Sequence, residues 1–175
     1  LLISGLLNYN RLRGRAFFKS ATYLPNICAV IAMGIIFSML FEKNTGLINE
    51  VIFAMGANKV DWLTGTRFSK IPVIALNVWR NTPWFTMILL SGLLNISPEY
   101  YEAAKVDGAN AFQRFFKITL PSLSNVMFFC FITLTADSWK IFNEPFMLQG
   151  PGTSNVSLFQ YMYESGFNVF NMGYA

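Results

Sequence analysis

The stretch Ser97-Pro98-Glu99-Tyr100-Tyr101-Glu102-Ala103-Ala104-Lys105-Val106-Asp107-Gly108-Ala109-Asn110-Ala111-Phe112-Gln113-Arg114-Phe115-Phe116-Lys117-Ile118-Thr119-Leu120-Pro121 decides how the rest of the chain is read. Ser97 is placed to cap a helix whose first position is Pro98, where a missing N–H costs nothing. Glu99 and Glu102 sit near the positive end of that helix's dipole. Gly108 suits the left-handed residue that ends such a helix, and Asn110 can cap a second one running on towards Leu120 and Pro121. The spacing predicts two short helices with a bend between them, an elbow over 97–117. From these residues alone it is either a surface linker or a helix pair lying at a membrane interface to anchor Phe112, Phe115 and Phe116.

Outward from the elbow, charge disappears. Ile118 to Ala136 is uncharged and rich in Phe, Ile71 to Pro98 carries only Arg80, and Ser20 to Phe41 has no charge at all. A hydrocarbon core of ~30 Å needs about 20 helical residues at ~1.5 Å each, so membrane spans are expected at about 21–41, 71–95 and 118–137. Composition agrees: 54% of the 175 residues are hydrophobic and 13% are charged, against about 25% charged in a soluble domain. The expected fold class is an all-α, polytopic membrane bundle. Leu1–Leu7 reads as the tail of an earlier span, and a chain that opens on Leu1 and closes on Ala175 as an internal piece of a longer one. Residues 42–70 and 140–175 form loops, the second because Gln149, Gly150, Pro151, Gly152, Thr153, Ser154 and Asn155 would break a helix and strand polar groups in lipid.

Orientation follows from basic residues. Arg11, Arg13, Arg15 and Lys19 crowd one short loop without an acid, which places it in the cytoplasm. Alternation then puts 42–70 outside, 97–117 inside and 140–175 outside. The outer loop carries Lys43, Lys59, Arg67 and Lys70 against Glu42, Glu50 and Asp61. The basic residues are spread along the chain, so membrane flanking explains the net charge of +4 better than nucleic acid does.

Chemistry is narrowed by what is missing. There is no histidine, which removes imidazole bases and His metal sites. Cys28 and Cys130 lie in apolar stretches and read as small buried hydrophobes. No metal, cofactor or enzyme activity is expected. The second apolar run does hold a polar face: Asn77, Arg80, Asn81 and Trp84 fall at i, i+3, i+4 and i+7. An intramembrane cation marks a pathway or partner unless it snorkels to the interface, with Trp84 in an aromatic belt. Asp137 is the expected neutralising partner of Arg80.

The segment Glu99–Pro121 resembles the EAA loop of the membrane-spanning permease subunits of binding-protein-dependent type I ABC importers. Glu102, Ala103, Ala104, Gly108, Ile118, Leu120 and Pro121 fall in register with that motif. The stretches Arg13–Pro25, Gly46–Asn49 and Val78–Trp84 are similar to the carbohydrate branch, of maltose-permease type. Leu148-Gln149-Gly150-Pro151-Gly152 stands where that family usually has Thr-x-Gly-Gly-Pro. The resemblance implies a MetI-like permease fold in a bacterial cytoplasmic membrane, with a second permease subunit, cytoplasmic ATP-binding subunits and an extracellular or periplasmic solute-binding protein as partners. It implies that Glu102, Ala103, Ala104, Gly108, Leu120 and Pro121 couple to the ATPase. It also implies that Asn77, Arg80, Asn81 and Trp84, with Thr135, Ala136, Asp137 and Trp139 of the third run, line a pathway for a sugar, or for a non-sugar solute such as an amino acid or phosphate. No G-x-x-x-x-G-K-[ST] motif occurs, so ATP hydrolysis is expected in another chain. An intramembrane enzyme would need a catalytic dyad, and a membrane scaffold would not need the EAA register.

Overall fold

The computed structural model describes residues 2–8, 15–148, 150, 152 and 154–175, and among them every regular element is helical. In chain order these are α1 (Leu2–Asn8), α2 (Arg15–Ile27), α3 (Val30–Leu40), α4 (Leu47–Ala54), α5 (Lys70–Leu94), α6 (Pro98–Val106), α7 (Ala111–Arg114), α8 (Leu120–Ser122), α9 (Ser124–Trp139), α10 (Asn143–Met147) and α11 (Leu158–Tyr163). Single π-helical turns, Phe115–Thr119 and Glu164–Asn168, continue α7 and α11. Arg11 and Arg13, which contribute to the expected orientation, and Gln149, Pro151 and Thr153 lie outside the described residues.

The apolar run 21–41, expected as one helix, is two. Pro25 lies inside α2 and has no N–H to offer the carbonyl of Ala21. The helix ends at Ile27, and Ala29 is extended (φ −60°, ψ 126°) before α3 begins. The third run is interrupted too, with Leu123 between α8 and α9. Among the described residues no single helix is long and apolar enough to cross a membrane, although Phe17–Ile27 with Val30–Leu40 and Ala111–Ser122 with Ser124–Met147 pass that test as bent pairs. α5 has the length, but Lys70, Asn77, Arg80 and Asn81 dilute its apolar character. In the stretch expected as the last outer loop, 140–175, α10 and α11 form short helices.

The chain divides into two compact units, Leu1–Asn26 with Asn81–Thr135 and Ile27–Arg80 with Ala136–Ala175. In the first, Leu90, Leu93 and Leu123 are buried. Gly92 packs closely there: a Cβ would stand 2.8 Å from Leu123 Cδ2, which would have to shift. In the second, Val73, Leu76 and Leu148 form a core joined by Met33, Phe37 and Leu63. Trp79 packs on Phe37 with ring centroids 5.7 Å apart.

The segment between α3 and α5 is organised by one amide. Asn49 is completely buried, and its Nδ2 donates to the carbonyls of Val60 at 2.7 Å and Lys43 at 3.0 Å. Its Oδ1 accepts from the Val60 N–H at 3.0 Å and from Trp62 Nε1 at 2.9 Å. Gly46 lets the chain turn tightly enough for this, since any Cβ there would collide with the carbonyl of Glu42. The N–H and then the hydroxyl of Thr45 hold the Glu42 carboxyl below its ordinary range, and the hydroxyl and N–H of Thr64 do the same for Asp61. Lys43 pairs with Asp61 at 3.5 Å and Lys59 with Glu50. Two of the four basic residues of this loop, Lys43 and Lys59, are thus locally neutralised.

Asn49→Ala would leave a buried amide N–H, an indole N–H and several carbonyls without partners, at about 1–3 kcal/mol for each group that water cannot reach. The expected result is a loss of about 3 kcal/mol and new protease cleavage between residues 42 and 64. Limited proteolysis with mass mapping of the full-length protein reads this directly; an unchanged pattern would show that the amide does not hold the segment.

Candidate functional site

The polar face of α5 is anchored by an ion pair. Arg80 Nη1 donates to Glu144 Oε1 at 2.8 Å. Glu144 is 3% exposed, and the Arg80 side chain keeps 28% of its surface accessible. A cation in an apolar setting costs ~2.5 kcal/mol or more if left alone, and a hydrogen-bonded carboxylate of opposite charge offsets that penalty. Asp137, the expected partner, is instead exposed on α9. Glu144 was hidden in the sequence because it stands at the edge of a stretch rich in helix breakers. Its neighbours Phe142, Pro145, Phe146 and Met147 were the available signal, since a lone acid among them needs a partner.

The remaining candidates are distributed between the two units. Asn77 is half-buried in the second unit, where Ala136, Asp137 and Trp139 are exposed. Asn81, Trp84 and Thr135 belong to the first; Asn81 is half-buried and Trp84 is 49% exposed. The Thr135 hydroxyl donates to the carbonyl of Phe131 at 2.8 Å, which leaves its oxygen lone pairs free to accept. On α5 itself Asn77, Arg80, Asn81 and Trp84 keep their helical spacing. Among these candidates, Arg80 is the one brought against an ionic partner, and that partner is Glu144.

The second candidate region is the pair α6 and α7 of the first unit. Ser97 Oγ accepts from the N–H of Glu99 at 3.4 Å with Pro98 following it, and Asp107 caps the far end. Gly108 takes φ +76°, a conformation that only glycine adopts without strain. Asn110 and Gln113 then form a reciprocal capping box, with Gln113 N–H to Asn110 Oδ1 at 2.8 Å and Asn110 N–H to Gln113 Oε1 at 2.9 Å. Tyr101 and Thr119 join hydroxyls at 2.9 Å across the bend, a brace with no local sequence signature. Glu102, Ala103 and Gly108 are exposed and Ala104 is half-buried, so the outer surface of α6 is open to a partner. Leu120 and Pro121 open α8 immediately after the π-helical turn. Among the described residues no group of His, Cys, Asp or Glu could hold a metal ion.

Comparison with known proteins gives this geometry a context. A sequence profile of the family described as binding-protein-dependent transport system inner membrane component matches residues 2–167. The arabinooligosaccharides transport system permease protein AraP of Bacillus subtilis (strain 168) is 32% identical over 179 residues, covering 100% of this chain and 57% of its own length. The trehalose/maltose transport system permease protein MalF of Thermococcus litoralis is 33% identical over 173 residues, covering 96% of this chain and 56% of its own length. The chain thus spans a little over half the length of these relatives. A crystal structure of a bacterial alginate ABC transporter, in complex with an alginate pentasaccharide-bound periplasmic protein, matches with a TM-score of 0.79 at 23% identity. It covers 97% of this chain and 66% of that one, and shares its fold.

Removing Glu144 tests the ion pair. Glu144→Ala strands a guanidinium that is mostly shielded from water, and the expected loss is about 3 kcal/mol, the lower end for breaking a buried pair. The charge reversal Arg80→Glu with Glu144→Arg should recover part of it. Thermal unfolding of the full-length protein in detergent checks both; equal stability of wild type and Glu144→Ala would mean that the pair carries no weight.

Proposed function

The chain belongs to the family of binding-protein-dependent transport system inner membrane components, and we propose that it is the membrane-spanning subunit of an ATP-driven importer for a sugar or oligosaccharide. The observation that supports this most strongly is that permease proteins named for arabinooligosaccharides and for trehalose/maltose align along essentially the whole chain. In this reading the protein is a multi-pass component of a bacterial cytoplasmic membrane. A second permease subunit completes the pathway, cytoplasmic subunits hydrolyse ATP, and an external solute-binding protein delivers the cargo. The spans are the three apolar runs, two of them broken, with α6 and α7 inside and residues 42–70 outside.

The pathway reading assigns hydroxyl recognition to Asn77, Asn81 and Trp84 of α5, together with Thr135, Ala136, Asp137 and Trp139. Amides donate to and accept from hydroxyls, a carboxylate accepts, and indole faces cover the apolar side of a sugar ring. Arg80, already held by Glu144, serves as the fixed element that sets the rotation of this helix face. Coupling runs through α6. Glu102, Ala103 and Ala104 present one charge and two small side chains to the ATPase, and the Tyr101–Thr119 brace with the Asn110–Gln113 box lets the two arms move as one piece. Leu120 and Pro121 then pass that movement to the helix that follows.

Uptake of labelled oligosaccharide and receptor-stimulated ATP hydrolysis, measured side by side in the complete importer, test both halves. Asn77→Ala or Asn81→Ala removes hydrogen bonds to neutral hydroxyls, about 0.5–1.5 kcal/mol each, so uptake should fall several-fold with receptor affinity unchanged; Trp84→Ala should lower it further. Glu102→Lys and Gly108→Pro should abolish both stimulated hydrolysis and uptake while the protein still inserts. Normal uptake in an inserted Asn77→Ala, Asn81→Ala, Trp84→Ala triple variant would overturn the pathway, and normal stimulation in both coupling variants would overturn the coupling.

A further inference from the structure

The helix that follows the bend contains one turn of a different kind. Over Phe115–Thr119 the backbone closes five residues back instead of four, and the Leu120 N–H bonds the carbonyl of Phe115. Such a π turn holds one residue more than an α-turn; it is rare, and frequent at functional sites. Its place follows from Pro121, which has no N–H for the carbonyl of Lys117 and whose ring would crowd that carbonyl in a regular α-helix. Proline accounts for the broken ladder, but the bonds that replace it involve Thr119. The Thr119 hydroxyl donates to the carbonyl of Arg114, again five residues back, at 3.5 Å. With its one proton directed there, it accepts from the Tyr101 hydroxyl of α6, 2.9 Å away. Thr119 is 8% exposed, so water does not replace these bonds. Four residues on, Leu123 is completely buried, bonds the carbonyl of Thr119 through its N–H at 3.1 Å, and packs on Gly92 of α5.

We propose that this π turn is a two-state element: Tyr101 latches it in the wide form, and releasing the Tyr101–Thr119 bond lets it close to an α-turn, stepping α6 and α7 by one residue of register relative to α9. The proposal rests on the reading of α6 as the coupling element and adds the part of the chain on which that element acts. Two anchors make the turn the yielding part. On one side the elbow is held by its caps at Ser97 and by the Asn110–Gln113 box. On the other, Leu123 is seated against α5. A displacement of the elbow therefore falls on 115–122, where one set of backbone bonds can be exchanged for another. The step is discrete, because one residue of an α-helix is about 100° of rotation and ~1.5 Å of rise. A bend caused by Pro121 alone would need neither the hydroxyl of Thr119 nor the phenol of Tyr101. Their bond to each other, at the end of the wide turn, is what distinguishes a latch from a plain kink.

The test is amide hydrogen exchange read by mass spectrometry on the complete importer, over 116–120, at rest and with a non-hydrolysable ATP analogue bound. Tyr101→Phe removes the latch and keeps the ring. At rest it should speed exchange of these amides about two- to ten-fold over wild type, the worth of one hydrogen bond. With the analogue bound the latch is released in wild type as well, so the ratio of variant to wild type should fall to about one. Thr119→Val should behave as Tyr101→Phe does, and Thr119→Ser, which keeps the hydroxyl, as wild type. Uptake of labelled oligosaccharide per ATP hydrolysed should fall several-fold in Tyr101→Phe and recover in Thr119→Ser. A ratio that is the same in both states would mean a brace with no second state, and a ratio of one at rest would mean that the bond holds nothing; either overturns the proposal. Glu102→Lys separates the two levels. A constant ratio, with stimulated hydrolysis still lost in Glu102→Lys, removes the latch and leaves the coupling role. A ratio that falls on binding the analogue, with hydrolysis unaffected in Glu102→Lys, supports the latch and removes Glu102 from the coupling.

Discussion

Arg80 sits on a helix whose neighbouring residues are mostly apolar, and the second unit is arranged around its neutralisation. Glu144 can reach it at 2.8 Å only because α10 is held in place. Gly34 of α3 makes room for Met147 of α10, where a Cβ would come within 2.8 Å of the methionine's own Cβ. Leu148, next in the chain, enters the core with Val73 and Leu76. Asn155 closes the arrangement, its Nδ2 donating to the carbonyls of Ser69 and Leu148, both at 2.9 Å. Ion pair, glycine contact, core leucine and amide clip stand or fall together, because moving α10 breaks all of them.

The same principle governs the segment outside α3. Two of its cations are paired locally, Lys43 with Asp61 and Lys59 with Glu50, and backbone groups of Lys43 and Val60 are gathered by Asn49. The α6–α7 region of the first unit has a different character. Its caps make it rigid, yet Glu102 and Lys105 are exposed without being drawn into its own packing. Around α9, Phe128, Phe131 and Ile132 are exposed as well, a surface that needs lipid or neighbouring helices to cover it.

What could be read in advance was local. Ser97, Pro98, Gly108 and Asn110 act through hydrogen bonds and dihedral angles within a few residues, so their order along the chain was enough to place two helices and a bend. The helical class followed from charge-free runs, since a backbone in lipid must bond within itself. What stayed hidden was either long-range or a matter of interruption. Arg80 and Glu144 are 64 residues apart, and no periodicity links them, whereas Asp137 closes an apolar run and is the acid that charge pairing alone suggests. Asn49 gave no sign of its several hydrogen bonds, and Tyr101 none of its bond to Thr119. The break at Pro25 was missed because the reading of 21–41 as one helix rested on its lack of charge alone.

The central claim is that the chain crosses a membrane with the α6–α7 bend on the cytoplasmic side and residues 42–70 on the other. It is tested most directly in intact cells by the full-length protein with Cys28 and Cys130 replaced by alanine and one cysteine introduced at Asn58 or at Ala109. The account predicts that an impermeant thiol reagent labels the Asn58→Cys protein from outside and reaches Ala109→Cys only after the membrane is opened. Labelling of Ala109→Cys in sealed cells, with Asn58→Cys protected, would contradict it.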